Sequence, residues 1–183
     1  MNRTEALESV RANVENENLV KHMLATEAIM RTLAGKLGED ENEWGLAGLL
    51  HDIDIELTDG DMSSHSKLGA DLARDLGASE AVANAILTHN ETHGVAPETR
   101  MEKALFCTDP LTGLITAAVL VRPEKKIDTL EASSVRKRFK EKSFAAGASR
   151  ESIARCAEIG LDLDEFIAIG VAAMKEIAPQ LGL

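Results

Sequence analysis

The chain has 183 residues, 44% of them hydrophobic and 28% charged, a balance that predicts one compact domain with a sizeable core. Its formal net charge of −11 argues against a partner that is a nucleic-acid polymer or an anionic membrane. The two cysteines form no disulfide framework and no CxxC motif, which is consistent with a reducing cytoplasm.

Three helices are predicted in the N-terminal third of the chain. The opening "MNRTEALESV" has the features of neither a signal peptide nor a transit peptide, and no apolar run approaches about 18 residues, so we expect a soluble, cytoplasmic protein. A polar helix is predicted over residues 4–14, started by Thr4. Apolar residues at helical spacing predict a second helix over 17–37, and a short third helix is predicted over 42–51.

The rest of the chain is also predicted to be helical. The stretch "DIELTDGDMSS" is expected to be a loop, with Ser63 or Ser64 as the N-cap of a helix that ends near Leu76. The remaining predicted elements are a helix over 79–91, a long apolar segment over 100–121 interrupted at Pro110, and three or four shorter helices in 122–183, broken at Gly147 and Gly160.

These patterns predict an all-α fold in one domain. Runs with strand chemistry are few, aromatic residues make up only 3% of the chain, and Tyr is absent. No internal repeat, low-complexity tract or linker interrupts the sequence. We therefore expect residues 1–183 to form a single helical bundle, in which 17–121 carry the chemistry and 122–183 complete the fold.

The histidines and two acids predict a metal site. His51 and Asp52 follow directly on an apolar run in "GLLHDIDIEL", and Asp109 lies in the most apolar surroundings of any acid in the chain. Imidazole and carboxylate together suit divalent ions, and a cation removes the cost of burying a carboxylate. Four of the five histidines fall on the apolar or boundary side of four different predicted helices: His22, His51, His65 and His89.

Each of these residues also has a simpler interpretation. A single His beside apolar residues is more often a hydrogen-bonded core residue than a ligand, and Asp109 before Pro110 is a plausible helix N-cap. His93 follows His89 by one helical turn, and its place beside Gly94 favours a surface or supporting role. The acid-rich "DIDIELTDGD" lacks the Gly of a calcium-binding loop, which favours a solvated loop. The coincidence of so many such residues favours the metal site.

In their order along the chain, these residues resemble the HD superfamily of metal-dependent phosphohydrolases, over roughly residues 17–121. The phrases "HSKLGA", "ILTHN" and "DPLTGLI" are similar to a bacterial and archaeal branch of uncharacterised HD-domain hydrolases. The resemblance implies a helical bundle with a central metal site. One ion would be held by His22, His51, Asp52 and Asp109, and a second by His65 and His89, with Asp52 as the bridge.

Two departures from the family pattern bear on function. The Lys that often follows the His-Asp motif and meets substrate phosphate is absent, since Asp54 and Ile55 occupy that stretch. Asn90 stands where the cyclic-dinucleotide phosphodiesterases have a second consecutive His, which argues against that branch. Asp54 and Glu56 are the candidates for a general acid, and Asp52 is expected to orient the nucleophile.

The resemblance implies hydrolysis of a phosphomonoester or phosphodiester, with a nucleotide as the expected small substrate. One or two divalent ions (Mn, Fe, Ni, Co or Zn) would activate water for the attack on phosphorus. Two alternatives from other classes remain open: an HD-fold di-iron oxygenase, and a metal-stabilised nucleotide-binding module without turnover.

A basic segment follows the motif-bearing part. Residues 122–155 carry ten Lys or Arg against five acids, a local balance of +5. This segment is either a solvated surface that balances acidic neighbours or a flap over the metal site, anchored by Phe139 and Phe144 and turning at Gly147. In the second interpretation Lys140 and Lys142 are the first candidates to bind substrate phosphate.

Overall fold

The computed structural model describes residues 1–183 and confirms the all-α fold, with ten α-helices, two short 3-10 helices and no strand. The 3-10 helices span Glu91–His93 and Arg155–Ile159. The α-helices are α1 (Arg3–Asn13), α2 (Glu17–Leu37), α3 (Glu41–Leu50), α4 (Lys67–Asp75), α5 (Glu80–Thr88), α6 (Arg100–Leu120), α7 (Ala132–Phe139), α8 (Arg150–Ala154), α9 (Leu163–Glu176) and α10 (Ala178–Leu181).

Polar caps set the beginnings of several helices. The side chain of Asn2 accepts a hydrogen bond from the Glu5 backbone N–H (3.0 Å), and the Glu5 carboxylate accepts one from the Asn2 N–H (2.9 Å). This capping box satisfies two N–H groups that the first turn leaves free. The first helix therefore begins at Arg3, one residue earlier than the predicted start at Thr4.

The two longest helices, α2 and α6, lie side by side at the centre of the bundle. Helix α2 also packs against α3 and α9, and α6 packs against α5, α8 and α9. The apolar core is continuous, from Ala6 in α1 to Leu181 in α10. Because α2 and α6 carry His22 and Asp109, this packing brings together residues that are 87 positions apart in the sequence.

Helix α6 continues through Pro110, so the predicted interruption there is wrong. Its true N-cap is Thr99, which forms a capping box with Glu102, and Asp109 lies in the middle of the helix. The N-cap interpretation of Asp109 is therefore also wrong. By length and composition α6 would suit a membrane span, but 61% of its most apolar 18-residue window is buried in the bundle, as in a core helix.

The loop between α3 and α4 is a series of turns held by its own polar side chains. Asp61 accepts hydrogen bonds from the backbone N–H and the hydroxyl of Ser63 (2.9 and 2.7 Å) and from the Ser64 hydroxyl (2.6 Å). These serines stabilise a turn and do not cap α4, which begins only at Lys67. The turn places His65 beside the central helices.

A close backbone approach at Gly48 holds α3 against α2. A Cβ at this position would lie 2.9 Å from backbone atoms of Thr26 and Glu27, and backbone atoms cannot yield as a side chain does. We expect Gly48→Ala to lower the free energy of unfolding by about 1–3 kcal/mol through overpacking. Urea denaturation measures this directly.

The matched control is Gly113→Ala in α6, where an added Cβ meets no atom within 4 Å. We expect this change to leave stability unchanged or to raise it by up to about 1 kcal/mol, because Ala restricts the unfolded chain more than Gly does. Equal stability of the two variants would contradict the close packing of α3 on α2.

Candidate metal centre

The fold brings the six residues that the sequence singled out into one cluster. Two of them lie in α2 and α6, and the others lie directly after α3, directly after α5 and in the turns before α4, so no two elements alone build the cluster. The three most deeply buried are histidines, while the carboxylates are partly open to solvent. The members are His22, His51, Asp52, His65, His89 and Asp109.

One half of the cluster is formed around His22. Its Nε2 lies 3.1 Å from Asp109 Oδ1 and 3.1 Å from His51 Nε2. Asp52 Oδ2 completes the group, at 3.6 Å from His22 Nε2 and 3.4 Å from His51 Nε2. Ligand-type atoms of three other residues thus lie within 3.6 Å of His22 Nε2.

The other half of the cluster uses the second oxygen of the same carboxylate. Asp52 Oδ1 lies 3.4 Å from His65 Nε2 and 3.4 Å from His89 Nε2. Asp52 therefore directs one oxygen at each half. A carboxylate in this position can bridge two divalent ions.

Backbone carbonyls determine which ring nitrogen of two histidines faces the cluster. The Nδ1–H of His51 donates to the Gly48 carbonyl (2.8 Å), and that of His89 donates to the Ile86 carbonyl (2.6 Å). With the proton on Nδ1, the Nε2 lone pair of each neutral ring points at the acids. This is the tautomer that a metal ligand requires.

Thr112 does the same for His22. The Thr112 hydroxyl donates to the Asp109 carbonyl (2.7 Å), so its oxygen is free to accept from His22 Nδ1–H (2.8 Å). One side chain in α6 thus orients a ligand-type residue in α2. The sequence contained no signal for this role, because Thr112 is one of several small residues on an apolar helix.

Asp54 supports His65 from behind and does not face the open side of the cluster. It is completely buried, and its carboxylate accepts from His65 Nδ1–H (2.9 Å) and from the backbone N–H groups of Ser66 (2.7 Å) and Gly69 (2.8 Å). A carboxylate–histidine pair of this kind fixes the ring and raises its basicity. The structure therefore shows Asp54 in a contact that positions His65, and its role as a general acid stays a prediction.

Glu56 lies outside the cluster. Its carboxylate is on the surface and accepts hydrogen bonds from the backbone N–H groups of Glu15 (2.7 Å) and Asn16 (3.0 Å), in the connection between α1 and α2. It thereby ties that connection to the loop after α3. The structure thus places Glu56 away from the cluster, and its role as a general acid stays a prediction.

Asn90 and His93, which the sequence analysis did not include among the ligands, position the turn that carries His65. The Asn90 side chain donates to the carbonyls of Met62 (2.8 Å) and His65 (3.1 Å). His93 Nε2 lies 2.6 Å from the same His65 carbonyl and 2.9 Å from the Ser66 hydroxyl. His93 therefore has the supporting role that was one of its two expected roles.

The pKa shifts of the cluster residues show which sign of charge the cluster favours. Burial raises the pKa of Asp52, but the charge of His51 and hydrogen bonds from three histidines outweigh it, so this pKa lies well below its ordinary value. Burial lowers the pKa of His65, but hydrogen bonds to Asp52 and Asp54 outweigh this effect and raise the pKa to about 9. Positive charge is thus favoured at this point, whether from protons or from a metal ion.

The donor set fits a divalent metal ion. Two groups have ligand atoms that all lie within 4.8 Å of one another: His22, His51 and Asp109, and His51, Asp52 and His89. Nitrogen and carboxylate oxygen ligands of this kind suit Mn, Fe, Co, Ni and Zn alike, so the ligands alone do not select one metal. The role of the six residues as ligands stays a prediction that the experiments below test.

We expect metal binding to release protons and to strengthen as the pH rises. Because the pKa of His65 is raised to about 9, its ring carries a proton at pH 7 that a metal ion must displace. Because one proton is displaced, we expect the apparent metal affinity to rise about tenfold for each unit by which the pH increases, up to that pKa. Calorimetry at pH 6, 7 and 8, in two buffers of different ionisation heat, measures both quantities. An affinity independent of pH would contradict this charge state.

An open cavity of about 380 Å³ leads to the cluster. Asp52, His65, His89 and Asp109 form its polar floor. Two distant parts of the chain form the walls. One contributes Asn90 and Glu91 after α5, and the other contributes Gly147, Ser149 and Ser152 around α8. The Ser152 hydroxyl donates to Glu91 (2.8 Å) and thus joins the two walls.

The basic segment does reach the mouth of this cavity, but not with the predicted lysines. Ala145, Gly147 and Ala148 line the neighbouring cavity beside His22, whereas Lys140 and Lys142 are exposed on the surface and line neither cavity. Ala145 is the left-handed residue of this turn (φ +45°), and Gly147 lies inside the turn that the Ala148 N–H closes onto the Ala145 carbonyl (2.9 Å). The structure thus places Lys140 and Lys142 outside both cavities, and their contact with substrate phosphate stays a prediction.

The side chain of one half-buried cation, Arg150, holds this segment in shape. The guanidinium of Arg150 donates to six backbone carbonyls of this segment and thereby ties its turns together. It also lies over the ring of Phe139, while Arg138 lies over Phe144, so both aromatic residues do anchor the segment. The accepting carbonyls are those of Arg138, Phe139, Glu141, Phe144, Ala145 and Ala148.

Comparison with known proteins identifies a matching family and several relatives of this chain. The family model described as "HD domain" matches residues 19–136. The chain is 33% identical over 139 residues to Ribonuclease Y of Sulfurovum sp., which covers 74% of this chain and 27% of that protein. Ribonuclease Y of Oleidesulfovibrio alaskensis (30% over 139 residues) and of Campylobacter jejuni (33% over 139 residues) each match 74% of the chain and 26% of their own length.

The chain spans about a quarter of the length of the curated relatives it matches. No solved structure matches it.

Proposed function

The chain belongs to the HD domain family, and on this premise we propose that it is a phosphohydrolase that uses water to cleave a phosphomonoester or phosphodiester. HD domains bind divalent metals, and the family and its relatives support a metal-dependent hydrolase. The observation that carries the proposal is the Asp52 carboxylate, with one oxygen 3.4 Å from His51 Nε2 and the other 3.4 Å from both His65 Nε2 and His89 Nε2.

The residues around the site have distinct tasks in this reaction. Bound divalent ions would lower the pKa of water and polarise a phosphoryl oxygen. Asp52 and the oriented imidazoles keep the ligand atoms in place before substrate arrives, so little reorganisation accompanies the reaction. The cavity of about 380 Å³ between the walls around Asn90 and Ser152 admits a phosphoryl group with part of its ester.

The experiment starts with metal analysis of purified protein. Mn²⁺, Fe²⁺, Co²⁺ or Ni²⁺ is then supplied with a panel of nucleoside monophosphates, cyclic nucleotides and simple phosphoesters, and product is measured with and without a chelator. We expect slow hydrolysis that the chelator abolishes. Oxygen consumption with Fe²⁺ in place of hydrolysis would favour the di-iron oxygenase, and tight nucleotide binding without product would favour the binding module.

A short single-stranded RNA is a second candidate substrate. The relatives named Ribonuclease Y suggest it, although the net charge of −11 argued against nucleic-acid polymers. The specific observation in its favour is a local one: Lys137, Lys140 and Lys142 are exposed on the segment whose continuation lines the cavity beside His22. A strand that crosses the site would bring further phosphates to these lysines.

This candidate predicts a change in salt dependence. Two lysine contacts to phosphates of a single strand contribute about 1.4 to the slope of log affinity against log salt concentration. We expect Lys140→Ala/Lys142→Ala to reduce the slope for a short RNA by about that amount, with no change for a nucleoside monophosphate. A control pair, Lys125→Ala/Lys126→Ala, removes the same charge elsewhere on the surface. Equal slopes for wild type and both variants would count against RNA.

A further inference from the structure

A groove extends from the metal cluster along the interface between α2 and α6. The cavity at the cluster and the one beside His22 share Asp109, Pro110 and Gly147. The latter, of about 330 Å³, neighbours a third cavity of about 520 Å³, and His22 and Gly113 line both. These neighbouring cavities form the groove, which has the ligand-type residues His22 and Asp109 at its near end.

Small residues on α6 create this groove. Gly113 follows Asp109 by one helical turn on the same face, and Thr116 and Ala117 continue that face. A Cβ added at Gly113 would meet no atom within 4 Å, so the helix leaves open space there. On the other side Ala25 of α2 is equally small, which keeps the two helices from filling the space between them.

The chemical character of the groove changes with distance from the cluster. Acids and imidazoles line the end at the metal centre, with Asp52, Glu91 and Asp109 among them. The far cavity contains no acidic side chain, and Lys21 is its one cationic residue. Half of its twelve lining residues are apolar: Ala25, Ala117, Leu120, Met174, Leu181 and Leu183.

We propose that this groove binds the organic group of the phosphoester substrate, and that this group is largely apolar. The inference rests on the proposed function, because the phosphoryl group is placed at the metal cluster. The ester oxygen then lies near His22 and Gly113, and the rest of the molecule extends between α2 and α6. Leu120, which is 49% exposed, covers apolar surface of the ligand at the far end.

Non-hydrolysable n-alkylphosphonates test this without turnover. Calorimetry on metal-loaded protein measures Kd for methyl-, butyl- and octylphosphonate. Each methylene that leaves water for the groove strengthens binding up to about fourfold, so we expect the methyl-to-octyl Kd ratio in wild type to reach at least about thirtyfold. Equal Kd values across the series would overturn the proposal.

Variants locate the effect in the groove. We expect Gly113→Leu, which fills the open space, to bring the methyl-to-octyl Kd ratio close to one, whereas Gly113→Ala keeps most of the wild-type ratio. A second variant at the far end, Leu120→Asn, should reduce the ratio about fivefold or more. Its matched control is Leu76→Asn, a similar change of a partly exposed Leu outside the groove. A wild-type ratio in both Gly113→Leu and Leu120→Asn would overturn the assignment.

The two proposals fail in different ways. Chain-length-independent phosphonate binding, together with metal-dependent phosphate release, would refute the groove and leave the hydrolase intact. Strong chain-length dependence with no hydrolysis of any phosphoester would refute the hydrolase and support the groove as a binding site.

Discussion

Replacing Asp52 with Asn is expected to remove most bound metal from the purified protein and to lower phosphoester turnover by about a thousandfold or more, equivalent to about 4 kcal/mol. The two oxygens of Asp52 face different halves of the cluster, at 3.4 Å from His51 Nε2 and 3.4 Å from His65 Nε2. An amide has one oxygen and no charge, so at best it serves one half. Metal content per chain and initial rates measure the two effects.

The matched control is Asp59→Asn. Asp59 lies in the same loop, is exposed, and has a left-handed backbone (φ +48°) that Asn adopts readily. We expect it to keep wild-type metal content and turnover. Stoichiometric metal in Asp52→Asn would refute the assignment of Asp52 as a ligand. A comparable loss of metal and turnover in Asp59→Asn would mean that the negative charge of the loop, and not one specific ligand, causes the effect.

The second large effect is expected for Asp54→Asn. The Asp54 carboxylate accepts three hydrogen bonds in a fully buried place, from His65 Nδ1–H and the N–H groups of Ser66 and Gly69. An amide NH₂ would face at least one of these donors, which leaves polar groups unpaired at a cost of about 1–3 kcal/mol. Loss of such a support of a ligand histidine also weakens metal binding about 10–100-fold.

We expect this loss to fall mainly on the half of the cluster that contains His65. A metal titration of Asp54→Asn should therefore show one site of near wild-type affinity and one weakened site. Glu56→Gln is the control, since Glu56 also accepts two backbone hydrogen bonds but lies outside the cluster. Equal metal affinities in both variants would mean that Asp54 only stabilises its loop.

The sequence by itself predicted the all-α fold and the six residues of the cluster. Helical spacing of apolar residues is a local property, and most helix bounds followed from it to within a few positions. The histidines and Asp109 were distinguished by their own neighbours, since a polar residue on an apolar face needs a partner in the core. Their order along the chain then matched the HD family, which the family comparison confirms.

Local preference was misleading where packing overrode it. Pro110 predicts a break, because proline removes a backbone donor and crowds the preceding turn. Yet α6 continues through it, flanked by buried residues such as Cys107 and Leu111. The apolar contacts on both sides of Pro110 offset the lost hydrogen bond, and this balance is not visible in the few residues around the proline.

Only the tertiary structure decided the roles of the polar residues around the cluster. Asp54 and Glu56 stand two positions apart in one acidic run, but the first is buried behind His65 and the second lies on the surface against Glu15 and Asn16. A carboxylate takes its role from the donors that reach it, and these donors come from distant parts of the chain. The same holds for Thr112, whose contact with His22 exists only because α2 and α6 pack side by side.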